Sequence, residues 1–465
     1  MTTQPIDAAK RLAEVADINV NGSKPGGVKG LVPRLANTIL SRGESFAVDI
    51  GGRLCRYQRG VYKPDGERLV KRLVKELLGE WELAHEWSSR RADETSKYIQ
   101  ADALEIPETP PTSVLNVTNG LLDITDPKNP KLLNHSPEHL SLVQLPIDYD
   151  PAAECPELKS FVMESAPDDC ENLVFEILGV LIVPGLGKRW AILLVGEGGT
   201  GKSTFLIFVK RFLGPRLVSA LPLQHLEANR FATSRLVGKL ANIYADLPDT
   251  HLETTSVFRT ITGGDPIPAE FKHRDGFDFE PSCRLLFSAN HYPRSADASS
   301  AFFERWIVLP FDRKFRDTPE EITQEELVAA MTTAEELSGA LNMALQGRAT
   351  FMARGQHYEV PASVRKSLDE FRATTDPLAV WLTRNLVVDA DAFIIRADLL
   401  QAYNDAAKPE GYKTMNPTSF GIALRQQRPD LFNDATSTQK TVASGRIERV
   451  WTGVGLMDKA RSGRR

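Results

Sequence analysis

The chain has 465 residues, 42% of them hydrophobic and 25% charged, with a formal net charge of −5. This is globular composition at a length for roughly two to four domains, each able to bury its own core. The slight acidity excludes nucleic-acid binding by bulk charge, so any such surface must be local. Cys55, Cys155, Cys170 and Cys283 are far apart with no C-x-x-C. That spacing indicates neither a zinc ribbon nor a disulfide framework, and it fits a reducing compartment.

Asp7, Lys10, Arg11, Glu14 and Asp17 break up the first twenty residues, so no signal peptide is expected. Asn21 to Gly27 reads as a turn-rich loop. From Ser45 the pattern becomes short strands: Phe46 to Ile50, a Gly51-Gly52 turn, Leu54 to Tyr57, then Gly60 to Tyr62. A helix is expected over Gly66 to Trp81, with Leu69, Leu73, Leu77 and Leu78 on one face, and another over Ala92 to Ala101. Val114 to Val117 and Gly120 to Ile124 flank Asn119-Gly120, a hairpin signal. Glu157 to Val183 reads as helix, broken at Pro167-Asp168-Asp169. Its apolar run stops at Pro184 and is too short to cross a membrane.

Strand Ala191 to Val195 leads into a loop and the helical run Phe205 to Leu213. Leu221 to Val237 reads as an interrupted helix, Leu240 to Ala245 as a strand ending at Asp246, and Thr254 to Ile261 as a polar helix. A hairpin over Ile267 to Phe279 carries Lys272, His273 and Arg274 at its tip. Strand Cys283 to Ser288 ends at Ala289-Asn290, and Arg305 precedes a last strand, Ile307 to Phe311. The alternation predicts an α/β fold with a parallel sheet. Helices are expected over Glu320 to Leu337, Ala340 to Arg354 and Ala362 to Phe371, with a boundary at Asp376-Pro377. Beyond it come helices Leu378 to Leu386, Arg396 to Ala407 and Pro417 to Gln427. A strand pair, Gln439 to Ser444 and Ile447 to Thr452, completes a winged-helix outline. The expected domains are 1–150 (α+β), 151–316 (the NTPase core), 317–375 (helical) and 376–465 (winged-helix-like and DNA-binding).

The densest chemistry lies in Gly196-Glu197-Gly198-Gly199-Thr200-Gly201-Lys202-Ser203-Thr204, a G-x-x-x-x-G-K-[ST] pattern between a strand and a helix. The glycines let backbone N–H groups turn inward around phosphate, and the helix directs its positive end at the same oxygens. Lys202 would reach the β- and γ-phosphates of ATP, and Ser203 would ligate Mg²⁺. Asp246, closing its strand, can hold that metal or its water, or instead cap a turn. No acidic doublet accompanies it, so Asp249 is a second candidate and the catalytic base stays open. Asn290 can orient an attacking water beside the γ-phosphate, or simply form a turn. Arg305 can enter a neighbouring subunit's site and neutralise transition-state charge, with Arg294 as competitor. Lys272, His273 and Arg274, flanked by Phe271 and Phe277, combine phosphate attraction with stacking, although basic loops are often merely solvated. From Lys413 to the end, ten basic residues stand against four acidic ones. With Ser419, Arg425 and Arg428 on a candidate recognition helix, this fits DNA-backbone binding or a winged helix used for packing.

Together these segments resemble the superfamily 3 helicases of the AAA+ class, and most of all the helicase half of phage, plasmid and poxvirus-type primase-helicases. GEGGTGKST resembles Walker A, the strand into Asp246 Walker B, and Gly263-Gly264-Asp265 through Lys272-His273 the B′ motif. LLFSANHYP resembles the sensor strand and FFERWIVLPF the arginine-finger strand. LNVTNGLLDI and Tyr149 to Pro156 resemble the domain that precedes this core. The resemblance implies a homo-oligomeric ring, a hexamer, with Mg-ATP between subunits. Single-stranded or forked DNA would pass through a pore lined by Lys272 and His273, and a primase or polymerase would be a partner. No membrane is implied, and the location would be the cytoplasm, that of the host cell for a phage-encoded chain. The upstream part shows no recognisable primase site or zinc ligands, so primer synthesis is not expected. An initiator or loader that uses ATP as an assembly switch, and a packaging NTPase, are the other readings.

Overall fold

The computed structural model describes residues 30–187, 190–247, 254–272, 275–293, 295, 297, 299–315, 322–409, 412, 414–442 and 444–457. The Asn21–Gly27 loop, Asp249, His273, Arg274 and Arg294 lie outside the described residues.

Internal packing divides the chain into two units. The first runs to Pro107 and includes His135–Leu142. Its sheet pairs Val61–Lys63, Leu54–Gln58 and Phe46–Val48 antiparallel, and Leu104–Glu105 adds in parallel to the last. Helix Gly66–Glu80 buries the expected Leu69, Leu73, Leu77 and Leu78 against Ala92 and Ile99 of helix Ser89–Asp102. They also meet Leu35 and Ile39 of helix Leu31–Ser41, which the sequence reading lacks. In the structure Gly30 caps the helix at φ 108° and Pro33 falls in the first turn, where a missing N–H costs nothing.

The second unit holds Glu108–Asn134 and the chain from Val143 onward. Hairpin Val114–Val117/Gly120–Asp123 turns at Asn119, pairs Val117 with Gly120, and gains a third strand, Lys131–Leu133. The central sheet is five-stranded, in the order Trp306–Pro310, Ala191–Val195, Arg284–Ala289, Ala241–Tyr244, Val218–Ser219. Every pair in it is parallel. Its strands are buried nearly throughout, as a sheet covered on both faces requires.

Helices Glu171–Leu181 and Ala334–Ala353 cross at glycines. A Cβ on Gly179 would fall on the Ala344 carbonyl oxygen, and one on Gly347 on that of Phe175. Gly179→Ala is therefore expected to destabilise the protein by about 1–3 kcal/mol through overpacking, read as a lower denaturant midpoint. The same logic corrects one helix boundary. The sequence suggests a break near Gly339, yet Gly339 lies inside Ala334–Ala353, where a Cβ would strike the Glu154 backbone. The break falls instead at Thr332-Thr333, where the Thr333 hydroxyl accepts from the Glu336 N–H (3.2 Å).

The C-terminal helices Pro377–Asn385, Arg396–Ala407 and Pro417–Gln427 form as expected. The strand pair becomes a three-stranded antiparallel sheet, ordered Leu386–Ile395, Ile447–Leu456, Ser437–Thr441. Among the described residues no helix is long and apolar enough to cross a membrane. All four cysteines are buried and none is in a disulfide among the described residues, and burial pushes the Cys55 thiol up to about 12.

Candidate functional site

Strand Ala191–Val195 lies between Trp306–Pro310 and Arg284–Ala289, and the glycine-rich loop leaves its carboxyl end. A cleft of about 370 Å³ opens there, lined by Val195, Gly196, Glu197, Thr200, Asn290, His291, Tyr292, Asp312 and Lys314. Ligands of open parallel sheets occupy this end of the strands. The loop needs its glycines for two reasons. A Cβ on Gly196 would fall on the Phe311 carbonyl, and Gly201 turns the chain at φ 90° immediately before helix Lys202–Leu213. A Cβ on Gly198 would meet nothing within 4 Å, so the loop's outer side is open.

Lys202 is only 7% exposed. Its ammonium donates to the carbonyls of Gly196 (2.5 Å) and Glu197 (2.6 Å), with Thr200 Oγ1 at 3.4 Å. Burial lowers its pKa, and the negative charge of Asp246 opposes that shift. Lys202 and Asp246 are therefore near enough to interact electrostatically. Ser203 is exposed in the first turn of a twelve-residue helix whose N-terminus carries no acidic residue. Thr204 is turned away: it is buried, and its hydroxyl accepts from Gln324 Nε2 (3.1 Å).

Asp246 sits one residue beyond Ala245 at the end of strand Ala241–Tyr244, exposed and in the left-handed region at φ 59°. Aspartate tolerates that conformation better than most residues. The turn is tied to the next strand: the Asp246 N–H donates to Ser288 Oγ (3.1 Å) and the Leu247 N–H to the Ser288 carbonyl (2.7 Å). Asn290 follows that same strand and lines the cleft. The loop, Lys202, Asp246 and Asn290 thus gather at one end of the sheet.

Arg305 does not join them. Its carbonyl accepts from the Ala191 N–H (2.8 Å) at the start of the loop strand, and Trp306 pairs with Ala191 while Pro310 pairs with Val195. It stands a full five-residue strand from Gly196, about 16 Å at 3.3 Å per residue. Its Nη1 donates to the Ala301 carbonyl, and among the described residues its buried Nε has no partner. Lys272 is exposed at the hairpin between Ile267–Glu270 and Gly276–Phe279. The flanking Phe271 and Phe277 rings pack on each other, 5.3 Å between centroids.

Several cleft features were not read from the sequence. The Phe311 and Phe315 N–H groups donate to the Val195 and Gly199 carbonyls (2.7 and 3.0 Å), which brings Asp312 and Lys314 beside the loop. The "VLPFDRK" signal was present, but nothing local says that this segment doubles back. Tyr292 donates from its hydroxyl to Glu370 Oε2 (3.0 Å) and stacks on Phe371 (5.6 Å). Burial first, then Glu370, raises its pKa. Arg259 and Thr255, on and before helix Ser256–Gly263, both donate to Asp297. Burial alone would raise the Asp297 pKa; hydrogen bonds from Ser299, Arg259 and Thr255 overcome it and bring it down to about 2. This knot joins the helix that leads into the Lys272 hairpin to the loop between Asn290 and Arg305. Chemically, the cleft can hold a chain of anionic oxygens against a buried ammonium and loop N–H groups, with a carboxylate and an amide at its far side.

Comparison with known proteins bears on the fold and on family resemblance. Residues 39–165 match the family described as "D5 N terminal like", and residues 194–305 match DUF5906, described as a family of unknown function. A protein of Invertebrate iridescent virus 3 named "Putative helicase 121R" is 26% identical over 190 residues. That match covers 38% of this chain and 20% of the relative, so the aligned part is about a fifth of that protein's length. The solved A-form apo structure of the NrS-1 C-terminal region superposes with a TM-score of 0.51 at 11% identity, covering 90% of this chain and 98% of that one. At that identity the likeness speaks for the fold.

Proposed function

We propose that this chain, which resembles the phage and viral primase-helicases, is an ATP-dependent DNA helicase of the superfamily 3, AAA+ class. The observation that carries the reading is the gathering of the glycine-rich loop, Lys202, Asp246 and Asn290 at one end of a parallel sheet whose other end presents Arg305. Within one subunit, Lys202 and the loop N–H groups from Gly198 to Ser203 hold the phosphates of ATP. The open side of Gly198, the exposed Ser203 hydroxyl and the exposed Asp246 carboxylate fit Mg-ATP. When bound, Mg²⁺ would be held by Ser203 and Asp246 and would neutralise charge on the phosphates. Asn290 orients the attacking water and registers the γ-phosphate. Arg305, too far from its own cleft, serves the site of a neighbouring subunit, which makes a ring, a hexamer by resemblance, part of the catalytic unit. Lys272, with His273 and Arg274, contacts the backbone of single-stranded DNA in the pore. The Asp297–Arg259 knot supports a mechanical tie between hairpin and arginine loop. The three-stranded C-terminal sheet with its three helices supports the winged-helix assignment. A replicative primase or polymerase would be the functional partner.

The test is strand displacement on a forked duplex. Wild type is expected to unwind with ATP. Lys272→Ala is expected to lose displacement at least tenfold, since Lys272 lies in none of the cleft's walls, while hydrolysis without DNA persists. DNA-stimulated hydrolysis with no displacement by the wild type would favour the initiator or loader reading, in which ATP only switches assembly.

A further inference from the structure

Residues 377–457 bring two arginines to one aromatic ring, with a third arginine near the first. Trp451 is buried on strand Ile447–Leu456, in register with Ser437 and Ile394. Arg396, first residue of helix Arg396–Ala407, lays its guanidinium over that ring at 4.0 Å and donates to Ser437 Oγ. Arg425, in the last turn of helix Pro417–Gln427, has its guanidinium 5.9 Å from the same ring. Arg449 lies two residues before Trp451 on the same strand, and so on the same sheet face, opposite Gln439. Arg425 and Arg449 are exposed, and Arg396 is half-buried.

The charges are poorly balanced. Burial lowers the Arg396 pKa, and repulsion by Arg425 and Arg449 adds to it, with Asp434 opposing. Asp434 pairs with Arg425 at 2.8 Å, but its side chain is 94% exposed and its pull is screened by water. Arg449 has no ion pair among the described residues. Arg428, by contrast, is engaged by both oxygens of Asp430 and is not available. The helix alone therefore offers less positive charge than its sequence suggests. The excess sits where its C-terminal turn meets the sheet.

We propose that Arg396, Arg425 and Arg449 form a phosphate-backbone site for nucleic acid, separate from the Lys272 hairpin. Arg396, fixed by Trp451 and Ser437, supplies a preorganised guanidinium, and the two exposed arginines reach successive phosphates. Contacts to the phosphate backbone carry no sequence information, so binding is indifferent to sequence and sensitive to salt. The proposal rests on the DNA-acting reading only for the source of the phosphates.

The test uses the full chain and fluorescence anisotropy with labelled single-stranded and duplex oligonucleotides of two unrelated sequences across a salt series. Arg425→Ala and Arg449→Ala are surface changes that leave Trp451, Phe432 and Leu424 packed, and an unchanged melting temperature checks this. Each is expected to weaken binding equally for both sequences and to make the slope of log K against log salt shallower by about 1, and the double variant by about 2. Arg425→Lys should retain most of the slope. Hydrolysis without DNA should be unchanged. A double variant with wild-type affinity and slope would overturn the proposal, as would full competition by pyrophosphate at concentrations where it matches the oligonucleotide, which would mark a small-anion site. If the arginine variants behave as stated but wild type never displaces a strand, the site stands and the helicase reading falls.

Discussion

Lys202→Ala is expected to lower ATP turnover by at least a hundredfold, about 3 kcal/mol of transition-state stabilisation, without unfolding the protein. The ammonium is buried and already held by the Gly196 and Glu197 carbonyls, so it is fixed at the loop before any phosphate arrives. A preorganised charge in a partly desolvated site gains most when negative charge builds on the transferred phosphoryl group. Burial lowers its pKa while Asp246 opposes the shift. The same carboxylate that would hold the metal thus also favours the charged lysine. Removing the side chain leaves backbone acceptors at the edge of an open cleft, where water replaces the lost donor. The measurement is steady-state hydrolysis beside a melting curve. Wild-type turnover in a folded Lys202→Ala protein would remove the cleft from the mechanism altogether.

The parts legible in the sequence were those where local chemistry and fold agree. Ala191–Val195 is an unbroken apolar run ending in glycines, and a buried parallel strand must look like that. The Leu69, Leu73, Leu77 and Leu78 stripe predicted its own burial. Strand Leu386–Ile395 is illegible because its middle, Asp389-Ala390-Asp391-Ala392, alternates only aspartate with alanine and carries no β-branched or aromatic residue. The structure shows the reason: the register with Ile447–Leu456 shifts between Val388 and Phe393, and this stretch is exposed. Lys314, Asp312 and Tyr292 reach the cleft only through chain reversals and a contact with Glu370, far along the sequence. Thr204 looked like part of the phosphate loop because it adjoins Ser203. One further residue around the helix turns it toward Gln324 instead. Gly339 reads as an interruption of a helix and is instead, like Gly347, a place where a second backbone must come close.

Arg305→Ala is expected to lower turnover 10³-fold or more, the range seen when an arginine that neutralises phosphoryl-transfer charge is removed, while leaving ATP binding nearly intact. The argument is geometric. Arg305 begins the strand at whose other end the cleft lies, so it cannot reach Lys202 of its own subunit. Its Nη1 is held by the Ala301 carbonyl on the short helix Ser300–Phe303, capped by Ser299 and anchored through Asp297 to Arg259. A side chain steadied by its own loop and a strand's length from its own site suits action on a neighbour. This separates it from a merely structural arginine by a mixing experiment. Lys202→Ala subunits lack a working cleft but carry an intact Arg305, and Arg305→Ala subunits have the reverse defects. Each alone is inactive. Mixed, they create interfaces pairing a wild-type cleft with a wild-type arginine, and hydrolysis should return to a sizeable fraction of wild type. Recovery requires that the two groups come from different chains. If mixing restores nothing while size measurements show mixed assemblies, Arg305 acts within its own subunit or only supports the fold, and the shared-site mechanism is wrong.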